Sequence, residues 1–578
     1  MNNGNTMNID LAGSAPSPRP RKGRRLSGGT LLVGGIAVLA AALNFVWLSF
    51  DATPPHWDAA NHLLSALDYR ELLASAIRGQ AGGPIAVLKQ LVHVDKMVYP
   101  PLFPLTAGVV SPSETIRSLI MVNSLFLAIL VFSVYQIGRR VHSERAGILA
   151  AVLIAAYPMV MHLARDFMVD YSLLAMTALS AALIVSSDGY RIPVMTFLFG
   201  LSTAPGLLSK PTYASFIVVP AAYTLAIAAR RLAHEETRSA QIRGLTWLAA
   251  GLALGGLVTA VWYLPNWETV RGEAVRIANS NPIGFDVLDA NALVYYLNIL
   301  MIDQIGLPFM AVFIVGAFTL RRHVGLEQFG FLLSWVVGLY LIATLAPYKG
   351  TGQDVAILIP IAVISAIGLV GLTRFRVATC TAVVAFAVAQ AIVLSLPASM
   401  LAARLGTFRW AGSYQSFPDG GDWQFVNALR ALGTQPLTLR IVSDDMHVNG
   451  LTAKYFARSQ RLPFEVIERY GAPASEVRDA DAVLAKSNWT LQSSSNATTR
   501  GRSLKGVNTA SLGVMYTRGT CEVERPDEPL ANRISAKDVD LQSITEEILR
   551  QDHPYVRRFP LPDGSDLVLY SKRAFTTS

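Results

Sequence analysis

Charge is the first thing this chain lacks. Only 15% of its 578 residues are Asp, Glu, Lys or Arg, where a soluble globular domain carries about 25%. Cysteine is scarcer: Cys380 falls in an apolar block and Cys521 near the C-terminus, so no disulfide framework is implied. No CxxC or His/Cys cluster marks a structural zinc site. No internal repeat stands out, and the low-complexity content is limited to a polar N-terminal tail rich in Asn, Pro and Ser. The short alternating segments of a transmembrane barrel are missing as well. These absences exclude a soluble globular protein, a disordered chain and a disulfide scaffold. What the chain has is apolar: 52% of its residues are hydrophobic, gathered into blocks long enough to cross a bilayer.

Those blocks run over 28–50, 115–138, 145–163, 168–187, 192–208, 211–229, 244–265, 305–320, 326–346, 354–373 and 377–396, which predicts about eleven transmembrane helices. The formal net charge is +9, and its placement orients the chain. Arg19, Arg21, Lys22, Arg24 and Arg25 precede the first block. They read as a cytoplasmic anchor under the positive-inside rule, not as a nucleic-acid surface. The first block lacks an A-x-A-like exit and reads as an uncleaved span. With the N-terminus inside, each inner turn is basic: Arg139 and Arg140, Arg191, Arg230 to Arg243, Arg321 and Arg322, Arg374 and Arg376. Three long pieces then face outward: 51–112, 266–303 and 397–578. The division expected is a basic tail (1–27), a transmembrane unit (28–396) and an extracytoplasmic α/β domain (397–578). In that last domain helical patterns at 422–432, 449–459 and 541–551 alternate with strand-like runs at 437–443, 482–485 and 567–570.

Chemistry concentrates in the first outer loop. Pro54 and Pro55 end an extended exit and pre-set a helix start. Asp58 then falls in the first turn, where an anion is favoured. It reads equally as a helix cap and as a reactive carboxylate. His62 lies four residues on, on the same face. Leu63, Leu64, Leu67, Leu72 and Leu73 give the helix an apolar face, expected to lie along the membrane surface. Tyr99, Pro100, Pro101 and Pro104 follow, three prolines in five residues, which predicts a broken, partly re-entrant piece. Arg165, Asp166 and Asp170 lead into the fourth span. An ionisable group there is a functional candidate, or one half of an Arg165–Asp170 interface pair. Lys210 and Lys349 lie at outer span ends, where each can meet a phosphate or snorkel to lipid.

In the order of these pieces the chain resembles the polyprenyl-phosphate-dependent glycosyltransferases of the GT-C fold, bacterial protein O-mannosyltransferases and aminoarabinose transferases among them. The resemblance rests on the acidic residue after span one (His56, Trp57, Asp58), the Tyr99–Pro104 stretch, Arg165 followed by Asp170, and Gly206 to Pro211 around Lys210. It implies a sugar donor on a polyprenyl phosphate, presented at the outer leaflet. It implies Asp58 as catalytic base for an inverting attack by an acceptor hydroxyl, the acceptor being a glycan, a lipid or a protein. Lys210, Arg165 and Lys349, in that order, are the expected donor-phosphate cations. Asn61, His62, Tyr99 and Asp170 are the expected substrate-positioning residues. Many relatives follow the first-loop aspartate with a glutamate, but here Ala59 stands in that place. A hard cation wants several oxygen ligands, so no metal and no cofactor are expected, with a divalent metal as the alternative. No nucleic-acid partner is expected, and the implied location is a bacterial inner membrane. The rival readings are a lipid-glycan transporter, which would show paired repeats and interrupted helices, and a non-catalytic glycan-binding membrane protein. The Asp444–Asp445 pair reads as an exposed acidic turn. Two sequons, at Asn488 and Asn496, are of a kind that arises often by chance.

Overall fold

The computed structural model describes residues 28–93, 99–279, 290–346, 349–350, 352–397, 420–443, 445, 447–467, 474–487, 546–562 and 564–575. Arg19 to Arg25, Asp444, both sequons and Cys521 lie outside these residues, while Cys380 is half-buried within a helix.

The helical part begins with α1 (Gly28–Phe50), α2 (Trp57–Ile77), α3 (Pro84–His93), α4 (Leu102–Val110), α5 (Ile116–Ile120) and α6 (Asn123–Val141). It continues with α7 (Glu144–Ala156), α8 (Pro158–Arg165), α9 (Val169–Ser186), α10 (Pro193–Ser209), α11 (Tyr213–Leu232) and α12 (Glu235–Tyr263). The later helices are α13 (Trp267–Asn279), α14 (Ala290–Ile299), α15 (Leu307–His323), α16 (Leu326–Leu345), α17 (Leu358–Gly371) and α18 (Arg376–Val393). Among the described residues seven helices are long and apolar enough to cross a membrane, and two bent pairs and two shorter apolar helices join them. Each apolar block read from the sequence falls on one of these. The chain is a multi-pass membrane protein.

Local chemistry explains the breaks. α7 and α8 meet at 60°. Pro158 cannot donate to the preceding turn, and it holds Tyr157 extended (φ −62°, ψ 131°). The sharper bend is 119°, between 292–304 and α15. A π turn over Leu300–Gln304 ends there, and Gly306 takes a φ of 79° that favours glycine. Residues 266–303, read as one outer loop, therefore include α13, α14 and this π turn. No helix runs through Pro100 and Pro101, as expected, and a new one starts just after them. Pro101 is the N-cap of α4 and Pro104 lies in its first turn, where the backbone N–H has no intrahelical partner to lose.

The basic turns gather at one end of the bundle. Arg231 pairs with Asp188 at 3.5 Å and with Glu327 at 2.9 Å, and Gln241 donates to the Gly189 carbonyl at 2.8 Å. The opposite end carries α2 and α4, which pack on each other.

The C-terminal part is an α/β unit. It contains α19 (Phe425–Arg430), β1 (Leu437–Ile441), α20 (Gly450–Ser459), β2 (Phe464–Ile467), α21 (Ala474–Asp479), β3 (Ala482–Lys486), α22 (Glu546–Asp552), β4 (Tyr555–Pro560) and β5 (Asp566–Ser571). The sheet order is β2-β1-β3-β5-β4. β1 runs parallel to β2 and β3, while β5 is antiparallel to both β3 and β4. Side chains alternate across it: Leu439, Ile441, Leu484 and Leu569 bury on one face, Val483, Val568 and Tyr570 on the other. Each helical or strand-like run read from the tail finds its element, and β2, α21 and β4 are additions. β2 is four residues long and only partly buried, too short for a clear period.

Candidate active site

α2 starts at Trp57. His56, its N-cap, is extended (φ −74°, ψ 174°), and the His56 carbonyl accepts from Ala60 N at 2.8 Å. Asp58 lies in the first turn, half-buried. Among the described residues it carries no hydrogen bond or ion pair, so it does not act as the helix cap. It lies within electrostatic reach of His56, His62, Tyr99 and Lys210.

His62 is fully buried, and neither ring nitrogen has a partner among the described residues. Burial pushes its pKa down to about 4 against the pull of Asp58 and Asp170. The ring is thus neutral near pH 7, and one nitrogen donates while the other accepts. Asn61 is also buried, its amide nitrogen unpartnered among the described residues. Tyr99 packs edge-on against His62, ring centroids 4.9 Å apart, and burial pushes its phenol up to about 12.

Lys210 ends α10. Pro211 follows, the Lys210 backbone turns extended (φ −162°), and the side chain crosses to α9. Its Nζ donates to Asp170 Oδ1 at 2.9 Å, with the side chains 15% and 10% exposed. The ammonium also lies 6.0 Å from the Tyr99 ring centroid. Burial opposes its charge, but Asp170, Tyr99 and Asp58 outweigh that and raise its pKa. The late loop reaches the same place, since a methyl on Gly352 would lie 3.6 Å from Asp170 Oδ1.

Asp58, Asn61, His62, Tyr99, Asp170 and Lys210 thus come together. Arg165 and Lys349 are engaged elsewhere. Arg165 donates to Asn44 Oδ1 at 3.0 Å, to the Leu394 carbonyl at 2.9 Å and to Ser395 Oγ at 2.6 Å. Its guanidinium stacks 5.5 Å from the Trp47 ring. It ties α1, α8 and the end of α18 together, and the Arg165–Asp170 pair is not made. Lys349 is buried and caps α16, donating to the carbonyls of Ala343 at 3.2 Å, Ala346 at 2.5 Å and Thr344. Its ammonium also faces the Tyr296 ring at 5.9 Å.

One pair was not singled out from the sequence. His56 Nε2 meets Asp166 Oδ2 at 2.9 Å. Burial works against the charge on His56, yet the Asp166 carboxylate raises its pKa, with Asp58 adding to it. Asp166, half-buried, is held well below the usual carboxylate range by His56 and by the Phe167 N–H at 2.7 Å, against the opposing effect of burial. Both residues stood in motifs already of interest. Their partnership spans 110 residues, and nothing local signals it. Among the described residues no three His, Cys, Asp or Glu side chains form a metal-ligating group.

The apolar face of α2 is covered by protein. Leu63, Leu64, Leu67 and Leu72 are buried, and α2 packs between α4 and α20 of the C-terminal unit. The first half of the helix is thus packed against protein, while Glu71 and Ile77 are exposed.

Residues 100–261 match the sequence model of the family described as dolichyl-phosphate-mannose-protein mannosyltransferase. That stretch holds Asp166, Asp170 and Lys210 but not Asp58. No curated protein matches the chain by sequence. Among solved structures, ArnT from Cupriavidus metallidurans bound to undecaprenyl phosphate aligns with a TM-score of 0.52 at 14% identity, covering 79% of this chain and 93% of that one. Its apo form aligns with a TM-score of 0.50 at 12% identity, over 80% and 93%. In fold over most of its length, and in sequence over residues 100–261, the chain resembles the GT-C membrane glycosyltransferases that use polyprenyl-phosphate sugars.

Proposed function

We propose that this protein transfers a sugar, hexosyl or pentosyl, from a polyprenyl phosphate to an acceptor hydroxyl with inversion at the anomeric carbon. Asp58 is the base. It takes the hydroxyl proton as the acceptor oxygen attacks that carbon. The bond to the phosphate oxygen breaks, and its electron pair leaves with polyprenyl phosphate. The leaving group is already good, so cationic neutralisation of the departing charge contributes more than a protein acid would. Lys210 supplies that cation, and Asp170 and Tyr99 hold it in place. Neutral His62 and Asn61, whose donors have no partner among the described residues, offer them to sugar or acceptor hydroxyls. Arg165 and Lys349 serve the scaffold that holds the late helices, so the phosphate role expected of them passes to Lys210. The site faces outward from a bacterial inner membrane, and the acceptor is a glycan, a lipid or a protein.

The observation that carries this reading is how the carboxylates divide. Asp166 is held by His56 and Asp170 by Lys210, while Asp58, half-buried in a helix first turn beside that lysine, has no partner among the described residues. A carboxylate left unpaired beside a held cation suits a base next to an anionic leaving group. The ArnT structure with undecaprenyl phosphate adds support through its fold.

The test uses protein in proteoliposomes with a panel of polyprenyl-phosphate sugars and envelope extracts as acceptors, following release of polyprenyl phosphate. Release by wild type and none by Asp58→Asn is expected. Equal release by both removes Asp58 from its role, and a product of retained configuration sinks the single displacement.

A further inference from the structure

Three consecutive residues lead into the helix that carries Asp58, and each is held from elsewhere in the chain. The Pro54 carbonyl is met by His447 Nδ1 at 2.9 Å. The Pro55 carbonyl accepts from Thr452 Oγ1 at 2.8 Å. The His56 imidazole is held by Asp166 at 2.9 Å. The first two partners belong to the C-terminal α/β unit, 393 and 397 residues away in sequence.

We infer that His447 and Thr452 are positioning residues for the reaction proposed above, and that the C-terminal domain forms part of the scaffold that aims Asp58. Prolines explain why the hold takes this form. Pro54 and Pro55 have no N–H, so their carbonyls are their only backbone handles. Both prolines are buried, where an unpaired carbonyl is costly. A carbonyl only accepts, so His447 Nδ1 carries the proton. Thr452 has one hydroxyl proton, and the Pro55 oxygen is nearer than Asn449 Oδ1 at 3.1 Å. The grip continues along one face of α20 at three-residue spacing. Tyr455 donates to the Glu114 carbonyl at 3.0 Å, and Arg458 pairs with Asp68 and, at 2.9 Å, with Glu71. Asp68 and Glu71 are on α2, so one helix of the C-terminal unit holds both the start and the middle of the helix carrying Asp58. A carboxylate three residues beyond Pro55 moves with that carbonyl.

The test uses the full chain in lipid nanodiscs with Thr452→Val, Thr452→Ser, His447→Leu and His447→Asn. Serine keeps the hydroxyl, and the asparagine amide can stand where Nδ1 stood. Valine and leucine remove the donor while roughly keeping shape. Thr452→Val and His447→Leu should each lower kcat about tenfold with KM for the lipid donor within about twofold, because a small misplacement of a reacting group acts on turnover. Amide hydrogen exchange at 57–61 should quicken in both. Thr452→Ser and His447→Asn should behave as wild type in both readouts. Equal kcat and equal exchange in Thr452→Val and Thr452→Ser would overturn the inference, and His447→Leu against His447→Asn decides it if Thr452→Val does not fold. The inference rests on Asp58 acting as proposed, yet exchange does not need the reaction. A wild type that releases no polyprenyl phosphate sinks the reaction, and the exchange contrast then decides the clamp alone.

Discussion

Lys210 and Lys349 look alike in sequence: each is a lone lysine at the end of an apolar span, near proline and glycine. Their surroundings differ. Lys210 crosses from the end of α10 to Asp170 and leans over Tyr99, near Asp58, which has no partner among the described residues. Lys349 folds back on its own helix and takes the last carbonyls of α16. The one holds a charge against a carboxylate across helices, where an incoming anion can share it. The other satisfies backbone groups that any helix end leaves open. A lysine's stem reaches either kind of partner, so only what lies within its reach decides its role.

This contrast can be broken or sharpened by mutation. The largest effect is expected inside the cluster. Asp58→Asn should lower turnover by about 10²- to 10⁴-fold, the usual share of a general base, with an unchanged melting temperature because no described partner is lost. Asp170→Asn should lower the melting temperature as well as turnover, since it strips Lys210 of its ion partner. Equal melting of these two variants would break the distinction between a free and a structural carboxylate.

Next, Lys210→Met should lower turnover by about 10²- to 10³-fold, the cost of losing one charge-stabilising group. It should also destabilise by about 3–5 kcal/mol, because Asp170 is left buried and unpaired. Lys210→Met combined with Asp170→Asn should restore the melting temperature and leave turnover low. Recovery of turnover in the double variant would remove Lys210 from the phosphate role. Lys349→Met should cost about 1–2 kcal/mol for lost hydrogen bonds and spare KM for the lipid donor. A large rise in that KM would return Lys349 to the phosphate site.

The smallest effect concerns pH. His56 has a raised pKa, so the stability it lends is complete below its usual 6.5 and is lost as pH rises through the higher native value. Asp166 is depressed, so its share is present above its usual 3.8 and fades as pH falls through the lower native value. Asp58, His62, His162 and His447 also face His56, and of these only Asp58 favours its charge. The His56 contribution to the melting temperature should therefore fall as pH rises above its usual 6.5, and His56→Gln, which cannot take the proton, should flatten that fall. A His56→Gln curve as steep as wild type would show that the tie does not depend on charge.

Much of this could be read from the chain. Apolar blocks of bilayer length and basic turns between them settled the helices, because a membrane core accepts little else. Pro54, Pro55 and Asp58 marked the start of a helix with an acid in its first turn, a local effect of proline geometry and the helix dipole. The proline run at 100–104 marks a break in the sequence but not that Pro104 sits inside the next helix, because a proline in a first turn costs no hydrogen bond and sequence does not say which turn is first. The 266–303 stretch looked like a loop because its helices are short and separated. What the sequence could not decide is who meets whom: His56 with Asp166, Lys210 with Asp170 instead of Arg165, Arg165 with the end of α18, and Pro54 and Pro55 with His447 and Thr452. Composition and period act over a few residues, whereas these contacts close gaps of 40 to 397 residues. Such pairings depend on which side chains packing brings within about 3 Å, and only the folded bundle with its C-terminal domain in place sets that.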